Sequence, residues 1–268
     1  MISLEGRTHG VTSEDYGRVI LALVKIYPDP WACSTGDLEA FVRRPRTRYA
    51  RPPSKYTMKR EQVVLRTFYA FCAKRYNAPN PAEELSVIRI PRALPKPIDP
   101  RWIERAVKAE RDPRWRCVVL LAAYAGLRRG EISALRWEDV DLAHGWLVVD
   151  GKGGKERTVP FEGRLKAALE KVPKRGAYVV TNREGERLHP MNLLRVVQLM
   201  FERVGLPGAT VHRLRHTFGT EAFRVGGNPR AIQETMGHAS LATTMGYAEV
   251  TPEDQRKLIR MLQRPASS

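Results

Sequence analysis

Cysteine is scarce in this chain of 268 residues, and the three present, Cys33, Cys72 and Cys117, are widely separated. An odd number with no Cys-x-x-Cys pair argues against both a disulfide framework and a zinc ribbon. They read as small buried apolar residues, with Cys72 and Cys117 inside helical patterns. Long hydrophobic runs are missing as well. The most apolar stretch, Cys117 to Ala125, is far too short to cross a bilayer, so no membrane partner is expected. The first residues, MISLEGRTHG, lack the basic-then-apolar order of a secretory signal, and the expected location is the cytoplasm. Carboxylate clusters that would hold Mg²⁺ for a two-metal nuclease are not apparent, nor are internal repeats or low-complexity runs.

Positive charge is what the chain has in excess. Lys and Arg number 46 against 29 Asp and Glu, a formal net charge of +17 that favours a polyanionic partner. Between Arg43 and Arg75 the only acid is Glu61, while Arg43, Arg44, Arg46, Arg48, Lys55, Lys59 and Arg60 alternate with Tyr49 and Tyr56. This reads as a folded basic surface for nucleic acid, and these seven cations are the candidate DNA-binding residues.

Four prolines in Ile90-Pro-Arg-Ala-Leu-Pro-Lys-Pro-Ile-Asp-Pro100 predict an extended interdomain linker over about 93–100. Residues 1–92 before it read as all-helical. A first helix opens at Ser13 and runs to Tyr27. A second spans about Thr35 to Arg43, with Leu38, Phe41 and Val42 inward. A third spans Lys55 to Tyr76, with Val64, Leu65, Phe68, Phe71 and Cys72 on one side, and a short helix follows Pro81. Residues 101–268 read as mixed. Helices are predicted at Trp102–Ala109, Arg114–Ala125, Gly130–Leu135, Leu165–Lys171, Met191–Val204, His212–Val225, Pro229–Met236, Leu241–Tyr247 and Pro252–Gln263. Strands are predicted at Trp146–Asp150, Arg157–Pro160 and Tyr178–Thr181. The fold class is mainly α with a small antiparallel β-sheet.

Four clusters in the second domain carry groups suited to phosphate chemistry, and each alone has an ordinary reading. Arg128, at a junction between two helices in Ala125-Gly-Leu-Arg-Arg-Gly-Glu131, can present a planar fork to a phosphate or pair with Glu131 as a local bridge. Lys152, on the glycine-rich turn Gly151-Lys-Gly-Gly-Lys155, can reach into a cleft or simply face solvent; no P-loop fits, since Glu156 follows Lys155. His212, Arg215 and His216 share one helical face. The two histidines at zinc spacing lack the intervening glutamate, and Arg213 and Arg215 would repel a dication. His238 and Tyr247 lie in Met236-Gly-His-Ala-Ser-Leu-Ala-Thr-Thr-Met-Gly-Tyr247, where the tyrosine is either a packing residue or a nucleophile. Taken together they make a set able to attack a phosphate and stabilise charge on its oxygens without a metal.

These motifs closely resemble the tyrosine recombinase (phage integrase) family over about Pro97 to Val250. Ala125–Leu135 is similar to the stretch around that family's first catalytic arginine, which selects Arg128. Gly151–Arg157 is similar to its catalytic-lysine hairpin, which selects Lys152. His212-Arg-Leu-Arg215 is similar to its His-x-x-Arg motif, and Gly237-His238 with Tyr247 to its final histidine and nucleophile. The resemblance implies a helical core-DNA-binding domain followed by a mixed α+β catalytic domain with a tail helix. It implies a compact enzyme, Xer-like or a simple phage or mobile-element integrase, with no arm-binding domain.

The chemistry it implies uses no ATP, metal or other cofactor. Tyr247 attacks the scissile phosphate to give a 3′-phosphotyrosine and a free 5′-hydroxyl. Arg128 and Arg215 clamp the non-bridging oxygens, with His238 as a further donor. Lys152 protonates the leaving oxygen, and His212 assists proton transfer. The implied partners are double-stranded DNA with inverted-repeat core sites, three further copies in a tetramer on two sites, and an accessory DNA-bending protein, acting at the nucleoid. The tail residues Leu258, Ile259 and Leu262 would pack on a neighbouring protomer or on their own chain. Two other readings stand beside this one: a type IB topoisomerase that relaxes supercoils, and a non-catalytic DNA-binding relative.

Overall fold

The computed structural model describes residues 10–45, 51–90, 96–151, 154 and 156–237, with only the backbone considered for 10–14. The chain divides into two units, 1–93 and 94–268. Among the described residues no helix is long and apolar enough to cross a membrane.

Among its described residues the first unit holds three α-helices: α1 (Gly10–Ile26), α2 (Thr35–Arg43) and α3 (Lys55–Tyr76). α1 begins a turn earlier than Ser13, the residue the sequence suggested as its start. α2 starts where Ser34 accepts the Asp37 N–H and the Asp37 carboxylate takes the Ser34 N–H at 2.9 Å, a reciprocal cap that satisfies two otherwise orphaned donors. At α3 the cap is one-sided, with Ser54 Oγ accepting the Thr57 N–H at 3.2 Å. Leu23, Leu38, Phe41, Leu65 and Tyr69 form a fully buried core. Phe68 packs partly buried against this core as expected, while Tyr69, which the sequence did not place inward, is fully buried with its hydroxyl satisfied by the Pro30 carbonyl at 2.7 Å.

After Pro81 the chain makes one turn, not the expected short helix. The backbone that follows is bound by side chains of the helices it crosses. Gln62 donates to Ser86 O at 2.7 Å, Arg66 donates to Leu85 O, and Ser86 Oγ donates to Glu39 at 2.7 Å. Those bonds supply the satisfaction a helix would otherwise provide.

The second unit opens within the proline-rich stretch. Ile98 is buried in its core, and the Ile98 N–H donates to Thr217 Oγ1 at 2.7 Å. Its helices are α4 (Pro100–Ala109), α5 (Pro113–Tyr124), α6 (Arg129–Ala134), α7 (Gly163–Glu170), α8 (Pro190–Arg203), α9 (Val211–Arg224) and α10 (Pro229–Met236). Four of them start alike, a capping side chain followed by proline: Asp99-Pro100, Asp112-Pro113, His189-Pro190 and Asn228-Pro229. Proline at the first helical position costs nothing, because that N–H has no intrahelical partner.

α5 is the central element. Cys117 to Ala123 are buried on every side, and α7, α8 and α9 pack around it. Complete burial explains why this is the most apolar stretch of the chain.

Strands β1 (Val140–Asp141), β2 (Trp146–Asp150) and β3 (Glu156–Pro160) form an antiparallel sheet in that order. Leu147 faces Val159, both buried on the inner face. The expected strand at Tyr178–Thr181 is absent. Tyr178 and Thr181 make only isolated bridges, to Arg136 and Arg187, and Val179 and Val180 are buried as parts of a bent connection. Their β-branched character reports that burial and not a ladder.

Candidate active site

The site begins where α5 ends. Gly126 takes a left-handed conformation (φ 65°), and the ring of Phe218 lies 2.8 Å from where a β-carbon would be. Only glycine satisfies both demands. The turn closes with Leu127 N–H donating to Leu121 O at 3.2 Å and delivers Arg128 to the start of α6. The Arg128 N–H donates to the Glu131 carboxylate at 2.7 Å, and Arg128 Nη1 donates to the same carboxylate at 2.7 Å. The local bridge to Glu131 is therefore real. The guanidinium does more, however: Nη2 donates to Gly237 O at 2.8 Å, 109 residues away.

Arg215 approaches from α9, whose start is fixed by Thr210 accepting the Arg213 N–H at 3.1 Å. Its side chain is almost fully buried, at 3% exposure. Nη2 donates to Met236 O at 2.6 Å, and Nη1 donates to Gly126 O. His212, one turn earlier, opens on the surface.

A third arginine comes from the sheet. Arg157 shares the inward face of β3 with Val159. It donates from Nε to Thr235 O at 2.8 Å and from Nη1 and Nη2 to the two Glu131 oxygens at 3.0 and 2.8 Å.

Three arginines from three elements thus donate to three consecutive carbonyls, Thr235, Met236 and Gly237, at the end of α10. Cations are favourable there, because the last carbonyls of a helix lack intrahelical partners and carry the negative end of its dipole. Gly237 is left-handed (φ 62°), and a β-carbon on it would meet Arg157 at 3.0 to 3.1 Å.

Among the described residues, Glu131 is the acid these guanidiniums share, with Arg215 Nη1 4.0 Å from it. Burial alone would raise its pKa, but hydrogen bonds from Arg157 and Arg128 outweigh that and hold it below the usual glutamate range. Glu131 therefore stays ionised, and among the described residues three positive charges gather at one negative. Such an excess suits a phosphodiester.

His212 has its pKa lowered by the surrounding protein and then by the charges of Arg215 and Arg128. Its neighbour His216, ring to ring at 4.1 Å, is pushed down to about 4 by burial, with His212 and Arg215 adding to it. Both imidazoles are thus kept neutral near pH 7, the form able to accept a proton. Among the described residues no three His, Cys, Asp or Glu side chains are grouped as metal ligands.

Of the six residues selected for catalysis, the structure brings Arg128, His212 and Arg215 together; Lys152, His238 and Tyr247 lie outside the described residues. So do the helices expected at 241–247 and 252–263, with Leu258, Ile259 and Leu262. In the first unit, Lys55 and Lys59 are exposed, Arg43 is exposed near Glu39, and Arg60 pairs with Asp15. Arg44 is mostly buried, bound to Glu61 at 2.9 Å and stacked over Phe41. Arg46 and Arg48 lie outside the described residues. Sequence reasoning passed over Arg157. Its signal was a charge at an inward-facing strand position, which is rarely tolerated without a partner.

The profile described as the phage integrase family matches residues 99–254, which spans every element of this site. The chain belongs to the phage integrase family. A family member from Thermococcus kodakarensis, Tyrosine recombinase XerA, is 36% identical over 186 residues, covering 66% of each chain. Tyrosine recombinase XerC of Xanthomonas campestris pv. campestris is 30% identical over 270 residues, covering 93% of this chain and 81% of the relative. Among solved structures, the XerH site-specific recombinase bound to palindromic difH substrate, in a post-cleavage complex, superposes with a TM-score of 0.74 at 19% identity. That match covers 95% of this chain and 80% of the other, and it shows the shared fold.

Proposed function

We propose that this chain is a site-specific DNA recombinase that cuts and rejoins strands through a 3′-phosphotyrosine on Tyr247. The observation that carries the proposal is the meeting of Arg128 and Arg215 on adjacent carbonyls, Gly237 and Met236, directly before His238 in the sequence. Arg128 keeps 41% of its side chain exposed, so its fork is open to a phosphate while Glu131 fixes its direction. Charge building on the non-bridging oxygens meets guanidiniums already oriented, which is where most of the acceleration of phosphoryl transfer resides. Neutral His212 takes a proton near the nucleophile, Lys152 protonates the 5′-oxygen as it leaves, and His238 adds a donor. Attack by the 5′-hydroxyl of a partner strand then restores the phosphodiester, so the bond energy is conserved without ATP.

The DNA partner is supported by the relatives' names and by the difH substrate of the XerH structure. The finer reading has four protomers acting on two inverted-repeat core sites at the nucleoid, with an accessory DNA-bending protein and with Arg43, Lys55 and Lys59 on the DNA.

The test is a randomised pool of nicked suicide duplexes incubated with the protein, with Tyr247→Phe as control. Adducts that survive denaturation, vanish in the control and are enriched for an inverted repeat are expected. Unselective adducts would favour a topoisomerase, and tight binding with no adduct would leave a non-catalytic DNA binder.

A further inference from the structure

Among the described residues Arg157 bonds to none of Arg128, His212 and Arg215, yet it contacts most of what holds them. Its side chain is 11% exposed. Nε is used by Thr235 O, and the two terminal nitrogens span both oxygens of Glu131. The Glu131 carboxylate in turn accepts from Arg128 and lies 4.0 Å from Arg215. Glu131 is buried and ionised, so its charge must be answered by whatever cations are near. With Arg157 in place, a bidentate fork answers it. Without Arg157, Arg128 and Arg215 are the described cations left beside it, and the carboxylate would hold Arg128 more tightly and draw Arg215 in, away from an incoming phosphate.

We propose that Arg157 is a positioning residue for strand cleavage, neutralising Glu131 so that Arg128 and Arg215 remain directed at the scissile phosphate. The proposal rests on the recombinase reading and adds a residue to it. A second consequence of the same contacts is mechanical. Arg157 binds β3 to the end of α10, one and two sequence steps before the carbonyls held by Arg215 and Arg128, so the hairpin carrying Lys152 and the segment leading to His238 are tied at one point. Lysine cannot replace it: a single ammonium cannot span both carboxylate oxygens and still reach Thr235 O.

The experiment uses the full chain and a nicked suicide duplex recovered from the randomised pool by the unaltered protein. A second copy of that duplex carries a methylphosphonate at the scissile position, which removes the negative charge the arginines must bind. Arg157→Met and Arg157→Lys are compared with the unaltered chain for adduct rate at saturating DNA, DNA affinity and thermal midpoint. On the ordinary phosphate, Arg157→Met should slow adduct formation about 100-fold, the scale of a misplaced catalytic group, while affinity changes by less than about 3-fold. On the methylphosphonate that deficit should shrink to below about 10-fold, since less charge is left to stabilise. A deficit equal on both duplexes, as a general loss of folding would give, overturns the proposal. So does an adduct rate within about 3-fold of the unaltered chain on phosphate. Should Arg157→Met not fold, Arg157→Lys is read against the same two duplexes. Absence of any adduct from the unaltered chain overturns the recombinase reading itself, and the role of Arg157 with it.

Discussion

The arginines of the two units face opposite tasks. In the first unit the arginines are spread over several acids: Arg44 with Glu61, Arg43 with Glu39, and Arg60 and Arg18 with Asp15. In the second unit Arg128, Arg157 and Arg215 crowd about one carboxylate and take helix-end carbonyls for their remaining donors. Arginines spread over separate acids cancel charge and stabilise the fold. Three arginines to one acid concentrate charge, which costs stability unless an anion arrives. What separates a structural arginine from a reactive one here is convergence, and local basic density says little about it.

The sharpest way to break this contrast is Arg215→Lys. It keeps the charge and removes the planar fork, and it should lower the adduct rate at saturating DNA by about 10³-fold with little change in affinity. A loss in affinity alone would place Arg215 among ordinary DNA contacts. Next in size is Arg44→Ala, which removes the guanidinium bound to buried Glu61 and stacked over Phe41 and should cost about 2 kcal/mol of stability in a denaturant titration. Lys59→Ala, exposed on the same helix as Glu61, should move stability by less than about 0.5 kcal/mol. It should also reduce the slope of log affinity against log salt by about one; an unchanged slope would remove Lys59 from the DNA surface.

The last effect concerns acid. The folded-state pKa of His216 is about 4 against an ordinary 6.5. Between those values the unfolded chain binds a proton that the folded chain does not, so stability falls as pH drops through this window. Glu131 has a lowered pKa, so its contribution is present above the ordinary glutamate range and is lost only at lower pH. Thermal midpoints at about pH 7 and about pH 5 should therefore converge in His216→Gln relative to the unaltered chain. An equal drop in both proteins would show that His216 is not the group responsible.

The sequence revealed what depends on local period and capping. Leu38, Phe41 and Val42 at helical spacing placed α2 over Thr35–Arg43, where the structure has it. It misled where tertiary bonds replaced local ones, as after Pro81, and where burial imitated a strand, as at Val179 and Val180. The two-residue strand Val140–Asp141 is too short to show alternation at all. For the site, Arg128, His212 and Arg215 were marked by motif. The clamp was not, because Arg157 meets Glu131 across 26 residues and Arg128 meets Gly237 across 109. No spacing rule reaches across such separations. Only the packing of β3, α6, α9 and α10 brings these groups together.

The central claim is that the arginine cluster serves a tyrosine nucleophile, and its most direct test is to digest the denatured protein–DNA adduct and locate the nucleotide by mass spectrometry. The account predicts a single modified peptide carrying Tyr247, joined to the 3′-phosphate of the cut strand, with a free 5′-hydroxyl on the other fragment. Linkage to any other residue, a 5′-phosphate attachment, or DNA released without a covalent protein would contradict it.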